Sequence, residues 1–134
     1  MTGLRALISA LAIGAVSACG HTTTGGGQPN SAQVPAPLNG LTAQQVIGAI
    51  TKAGLPALNA HDVTASQCPE LRCAQAVGTD TVSVYKFPTT GQAQKYAGSI
   101  SNVYQVEDIA LVFAPTVSAK LRHDYEAVVA RTAA

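Results

Sequence analysis

Apolar and polar positions along the chain fall into blocks with different periods, and each period predicts an element. Residues 6–16, ALISALAIGAV, are an unbroken apolar run behind Arg5. Residues 20–40, GHTTTGGGQPNSAQVPAPLNG, show no periodicity and carry no acidic, lysine or arginine side chain. Periodicity begins in GLTAQQVIGAITKAGLP, where Val46, Ile47 and Ile50 share one helical face. Thr42 and Gln45 have the spacing of a capping box, and Leu41 and Val46 that of a hydrophobic staple. Gly54 offers a left-handed end, Leu55 folds back toward Ile50, and Pro56 blocks continuation. In CAQAVGTDTVSVYKF two extended runs flank Gly78-Thr79-Asp80, which reads as a hairpin. Val82 and Val84 alternate with Ser83 and Tyr85, as on a half-buried strand. TTGQAQKYAGSI reads as a second helix, with Thr89 and Gln92 as a capping box and Ala93, Tyr96, Ala97 and Ile100 as its inner face. DIALVFA reads as a third, central strand. TVSAKLRHDYEAVVARTA gives a last helix lined by Val117, Leu121, Tyr125 and Val128.

The predicted order is α-β-β-α-β-α. It describes a small α+β sandwich of about three mainly antiparallel strands and three helices, the helices on one face of the sheet. A ferredoxin-like arrangement without its first strand has this layout.

The N-terminal block changes the picture. A positive start, a short apolar run and small residues before a cut site describe a secretory signal peptide. The competing reading, a spanning anchor, needs about 20 apolar residues, and polar residues already begin at His21. Val16, Ser17, Ala18 and Cys19 run aliphatic, small, small, cysteine, and so resemble the lipobox of bacterial lipoprotein signals. That resemblance implies a diacylglyceryl group on the Cys19 thiol and removal of residues 1–18. Each buried methylene contributes about 0.8 kcal/mol, and stable anchoring needs more than one chain. The lipobox, TDTVSVYKFPTTGQAQKYA and DIALVFAPTV together resemble small lipoproteins of the mycobacterial and related actinobacterial envelope. The likeness spans most of residues 41–129 and implies export and anchoring. It brings no functional residue beyond Cys19.

Three segments follow: signal peptide 1–18, lipidated Cys19 with a tether over 19–40, and a single domain over 41–134. Gly25, Gly26 and Gly27 make the tether flexible, and Pro29, Pro35 and Pro37 stiffen it. A flexible chain of this length reaches about 25 Å.

Charge and cysteine content narrow the partners. Lys and Arg total 8 against 7 Asp and Glu, and Arg5 belongs to the signal, so the domain is near neutral. That excludes the basic face a nucleic-acid partner would need. Tryptophan is absent and only four Tyr and two Phe occur, which leaves few stacking platforms for carbohydrate. With Cys19 acylated, Cys68 and Cys73 are an even pair in an oxidising compartment, and CPELRC predicts a disulfide. The sharper redox reading prefers two intervening residues, where four stand here.

Candidate chemistry is sparse. His21, His61 and His123 sit far apart in sequence, and none has a second ligand at helix or turn spacing. No serine sits in a nucleophile elbow, and TTTGGGQPN lacks the lysine and the helix of a phosphate loop. Glu107 and Asp108 are adjacent and read as an exposed turn before the third strand. Lys120–Asp124 and Arg122–Glu126 have helical pair spacing. The sequence therefore predicts a non-enzymatic lipoprotein without cofactor or bound metal. It would be anchored at the outer face of the cytoplasmic membrane and work as an interaction or accessory module beside an envelope protein. A small-ligand or lipid-binding lipoprotein is the alternative and an enzyme comes third; joint metal binding by His61 and His123 is the less favoured form of the ligand reading.

Overall fold

The structure, a computed structural model, describes residues 39–134. The signal peptide, Cys19 and the tether before Asn39 lie outside the described residues. The elements are α1 (Ala43–Lys52), β1 (His61–Asp62), α2 (Thr64–Leu71), β2 (Gln75–Gly78), β3 (Val82–Lys86), α3 (Thr90–Ala97), β4 (Val103–Val106), β5 (Ile109–Phe113) and α4 (Ala119–Ala133). The strands form one five-stranded sheet in the order β1-β2-β3-β5-β4, and every pairing is antiparallel.

Helix α1 forms as its sequence dictates. Thr42 Oγ1 accepts from Gln45 N at 3.1 Å, and Gln45 Oε1 accepts from Thr42 N at 2.8 Å. At the other end Gly54 takes φ +77°. Gly54 N donates to Thr51 O and Leu55 N to Ile50 O, a complete Schellman closure. Ala43, Val46, Ile47 and Ile50 are buried, and Leu55 packs on the same core.

The fold is α+β, with four helices and five strands rather than three of each. The β2–β3 hairpin and β5 fall where the sequence places strands, while β1, α2 and β4 are additional. The helices also occupy both faces of the sheet, which corrects the one-sided sandwich and its ferredoxin-like layout. One core joins α1 and α4 to Val77, Val82, Val84, Ile109, Leu111 and Phe113. The other joins Cys68 of α2 and Ala93 of α3 to Ala76, Tyr85, Phe87 and Ala110. The physical reason lies in β3. Tyr85 reads as an outward polar position but is 9% exposed, because its ring covers Ala76 and Ala110, its register partners on β2 and β5. Alanines make a flat floor with little hydrophobic signal of their own.

Helix α4 starts at Ser118, whose Oγ accepts from Leu121 N. Tyr125, Val129 and Ala133 are buried, and Leu121 and Val128 flank them. Helix α3 starts at Thr89, which accepts from Gln92 N at 3.2 Å; this is the forward half of the expected box.

Candidate functional site

Two features of the described domain carry groups able to do chemistry. The first is built where the chain enters the fold. Lys86 is the last residue of β3 and pairs in register with Ile109. Asp108, just before Ile109, is thereby brought beside it, and Phe87 N holds Asp108 O at 2.8 Å. Lys86 Nζ lies 2.9 Å from Asp108 Oδ1 and 2.8 Å from Oδ2. The side chains are 6% and 0% exposed, and Oδ2 receives no donor besides this ammonium. Asn39 closes the cluster. Its Oδ1 accepts from Lys86 Nζ at 2.6 Å and from Leu41 N at 3.2 Å. Its Nδ2 donates to Asp108 Oδ1 at 2.9 Å and to Glu107 Oε2 at 2.5 Å. Its carbonyl accepts from Nζ at 3.0 Å. Nearby, Gln75 Oε1 accepts from Ala43 N and ties the start of α1 to β2.

Glu107 and Asp108 do form the turn that their sequence predicts, with Glu107 at φ +51°. The expected exposure fails for Asp108, which is wholly buried. The cause is an ion pair spanning 22 residues, which no local spacing reveals. A lone lysine ending an apolar strand, followed later by an acid heading another, is the only signal of it.

The second feature is an open groove of about 550 Å3 between α2 and α3. Leu71 and the Tyr96 ring are half-buried at its base. The Tyr96 ring packs at a tilt against Tyr85, centroids 5.4 Å apart, and against Phe87 at 5.2 Å. Burial, and next the Tyr85 hydroxyl beside it, push the Tyr96 hydroxyl up to about 12. Arg72, Lys95, Glu70 and Gln92 surround the base and are exposed. Arg72 ends α2 in a left-handed conformation, φ +58°, and donates its N–H to Cys68 O.

The expected Cys68–Cys73 pair is bridged, with Cα atoms 4.6 Å apart. It closes the C-terminus of α2 onto the approach to β2, so one wall of the groove is cross-linked. Cys68 and Pro69 belong to helix α2, an element the predicted order lacks.

The other candidates remain dispersed. His61 lies on edge strand β1, exposed, with Nδ1 against Asn59 O at 2.7 Å. His123 is exposed on α4. Among the described residues no three His, Cys, Asp or Glu side chains converge. Lys120 and Asp124 pair at 2.9 Å. Arg122 leaves Glu126 aside; it donates to Asn102 Oδ1 and lies over the Phe113 ring. Asp62 accepts from Thr64 N at 2.7 Å, and that bond holds its carboxyl below the ordinary value.

No helix among the described residues is long and apolar enough to cross a membrane. No family model, curated protein or solved structure matches this chain.

Proposed function

We propose that the chain is an exported, lipid-anchored interaction module. Signal peptide 1–18 is removed, Cys19 carries the lipid, and the tether holds the domain off the outer face of the cytoplasmic membrane. The docking surface is the α2–α3 groove, which receives a segment of an envelope protein. The observation that carries this reading is the make-up of the groove. An aromatic and aliphatic base ringed by charged side chains suits a partner that buries one apolar anchor within a polar rim. The disulfide beside Arg72 fixes one wall in advance, which lowers the ordering cost of binding.

The test has two arms. Cys19→Ala should release the protein from the membrane fraction or leave it as precursor. A mature N-terminal peptide that begins elsewhere, with unmodified Cys19, would sink the anchor. A photoreactive residue at Gln92 should form one discrete cross-linked species in intact cells, and Tyr96→Ala should abolish it. Diffuse cross-linking that is unchanged by Tyr96→Ala would reject the groove.

The volume of the groove also favours a second reading, a small ligand, since ligand clefts run from about 300 to 1,000 Å3. Arg72 and Lys95 would then select an anionic group beside an apolar or aromatic portion.

A further inference from the structure

We propose that the cluster of Asn39, Lys86 and Asp108 is a self-modification site. There the Lys86 amine displaces ammonia from the Asn39 side chain and leaves the two residues joined by an isopeptide bond. The inference does not depend on the export reading.

Each part that the displacement needs is in place. An ammonium is no nucleophile, so a base must lie within hydrogen-bond reach. Asp108 does, 2.8 and 2.9 Å from Nζ, and Oδ2 is the oxygen with no other donor and so is free to take the proton. Holding both charges away from water is costly, and transfer of that proton removes both at once. The electrophile is the amide carbon of Asn39, whose oxygen is 2.6 Å from Nζ. Contact between the two groups makes the reaction intramolecular, so its translational cost is already met once Nζ turns onto Cγ. Charge develops on Oδ1 during attack, and the Leu41 N–H, 3.2 Å away, is a fixed donor to it. The leaving nitrogen, Nδ2, donates to Asp108 Oδ1 at 2.9 Å, so one carboxyl touches both the attacking and the departing nitrogen. Glu107 holds Nδ2 from the other side and acts as a positioning residue. An ordinary ion pair would need none of this. Here the amide oxygen faces the amine and the amide nitrogen faces the acid, which sets the acid beside both the attacking and the leaving nitrogen.

The step balances. The Nζ lone pair forms a bond to Cγ. Asp108 takes the ammonium proton that frees the lone pair, passes it to Nδ2, and takes a second proton from the nitrogen once it is attached. The Cγ–Nδ2 bond breaks, ammonia leaves, and Oδ1 returns to a carbonyl. Of the two protons that Nζ gives up, one completes ammonia and the other stays on Asp108 until the departing ammonia or solvent removes it; nothing is oxidised or reduced, and no co-reactant is consumed. Asn39 and Glu107 are only half-buried, which gives ammonia an exit.

Peptide mapping of the purified full-length protein tests the bond. After reduction and tryptic digestion, the wild type should yield a branched peptide joining the fragment with Asn39 to the fragment with Lys86. Its mass should fall below the sum of the two by one ammonia, and cleavage after Lys86 should be lost. Asn39→Ala precedes α1 and should leave the melting transition cooperative, while the two fragments separate and cleavage returns. Unlinked fragments from folded wild type, even after long incubation, would overturn the proposal. In an Asp108→Asn protein that still melts cooperatively, linkage at the wild-type rate would overturn the role of Asp108. If that variant does not fold, the wild-type and Asn39→Ala maps still decide for or against the bond.

Discussion

At the scale of single residues, Lys86 and Asp108 are the least replaceable polar groups in the described chain. Each is buried, and each depends on the other for compensation. Replacing one alone strands a buried charge, a loss of about 3–5 kcal/mol. In the unlinked Asn39→Ala background, Lys86→Met should therefore lower the denaturant midpoint sharply, while Lys86→Met combined with Asp108→Leu should recover much of the loss; equilibrium unfolding measures both. Tyr96 sets a pH dependence of its own. Its folded value, about 12, lies above the ordinary 10.0, so the fold favours the neutral hydroxyl. That contribution is whole below pH 10.0 and disappears as pH rises toward about 12. Tyrosinate absorbance should show a step near the Tyr96 value of about 12, and Tyr96→Phe should remove that step. Asp62 behaves oppositely. Its lowered value means a contribution present above its ordinary 3.8 and lost as pH falls through the folded value, and Asp62→Asn should flatten the acid limb of the stability curve. The surroundings of Lys86, Asp108 and Tyr96 are not legible locally, because they are made by groups distant in sequence or by packing against another element.

At the scale of elements, stability rests on ends as much as on cores. Nothing lies within 4 Å of the place a methyl group on Gly54 would take, so Gly54→Ala would suffer from its positive φ alone. A loss of about 1 kcal/mol is expected, and Thr42→Ala should cost about the same through the lost cap. The double change Cys68→Ser, Cys73→Ser should leave a folded protein that is less stable by roughly 2 kcal/mol, because the closed loop is short. Thermal melting distinguishes the three. The same ends explain what the sequence reveals. Helix α1 is legible because Thr42, Gln45, the apolar face and Gly54 all agree. Strand β4 is not, since the turns on either side of it use Asn102 and Glu107 at positive φ, where glycine would have announced them. Helix α2 is hidden by Pro69, which suggests a loop, and β1 is two residues defined only by pairing with Val77 and Gly78.

At the scale of the whole described domain, both faces of one antiparallel sheet are covered. Strands β3 and β5 are paired on both sides and buried on both faces. Their amides should exchange slowest, and those of β1 at the edge fastest; native-state hydrogen exchange reads this order directly. The sequence shows the α1 face because valine, isoleucine and leucine mark it. It conceals the second face, made of alanines and aromatic rings.

The seat of Asn39 also has a mechanical consequence. Tension arriving from the N-terminal side meets Lys86 and the β4–β5 turn before it meets α1. The pull is handed to β3, which is laddered to β2 and β5 along its length. Without that seat the same pull would peel α1 from its Gln75 tie and unzip the domain turn by turn. With the isopeptide bond formed, the pull bypasses α1, and rupture begins by shearing β3 from its neighbours.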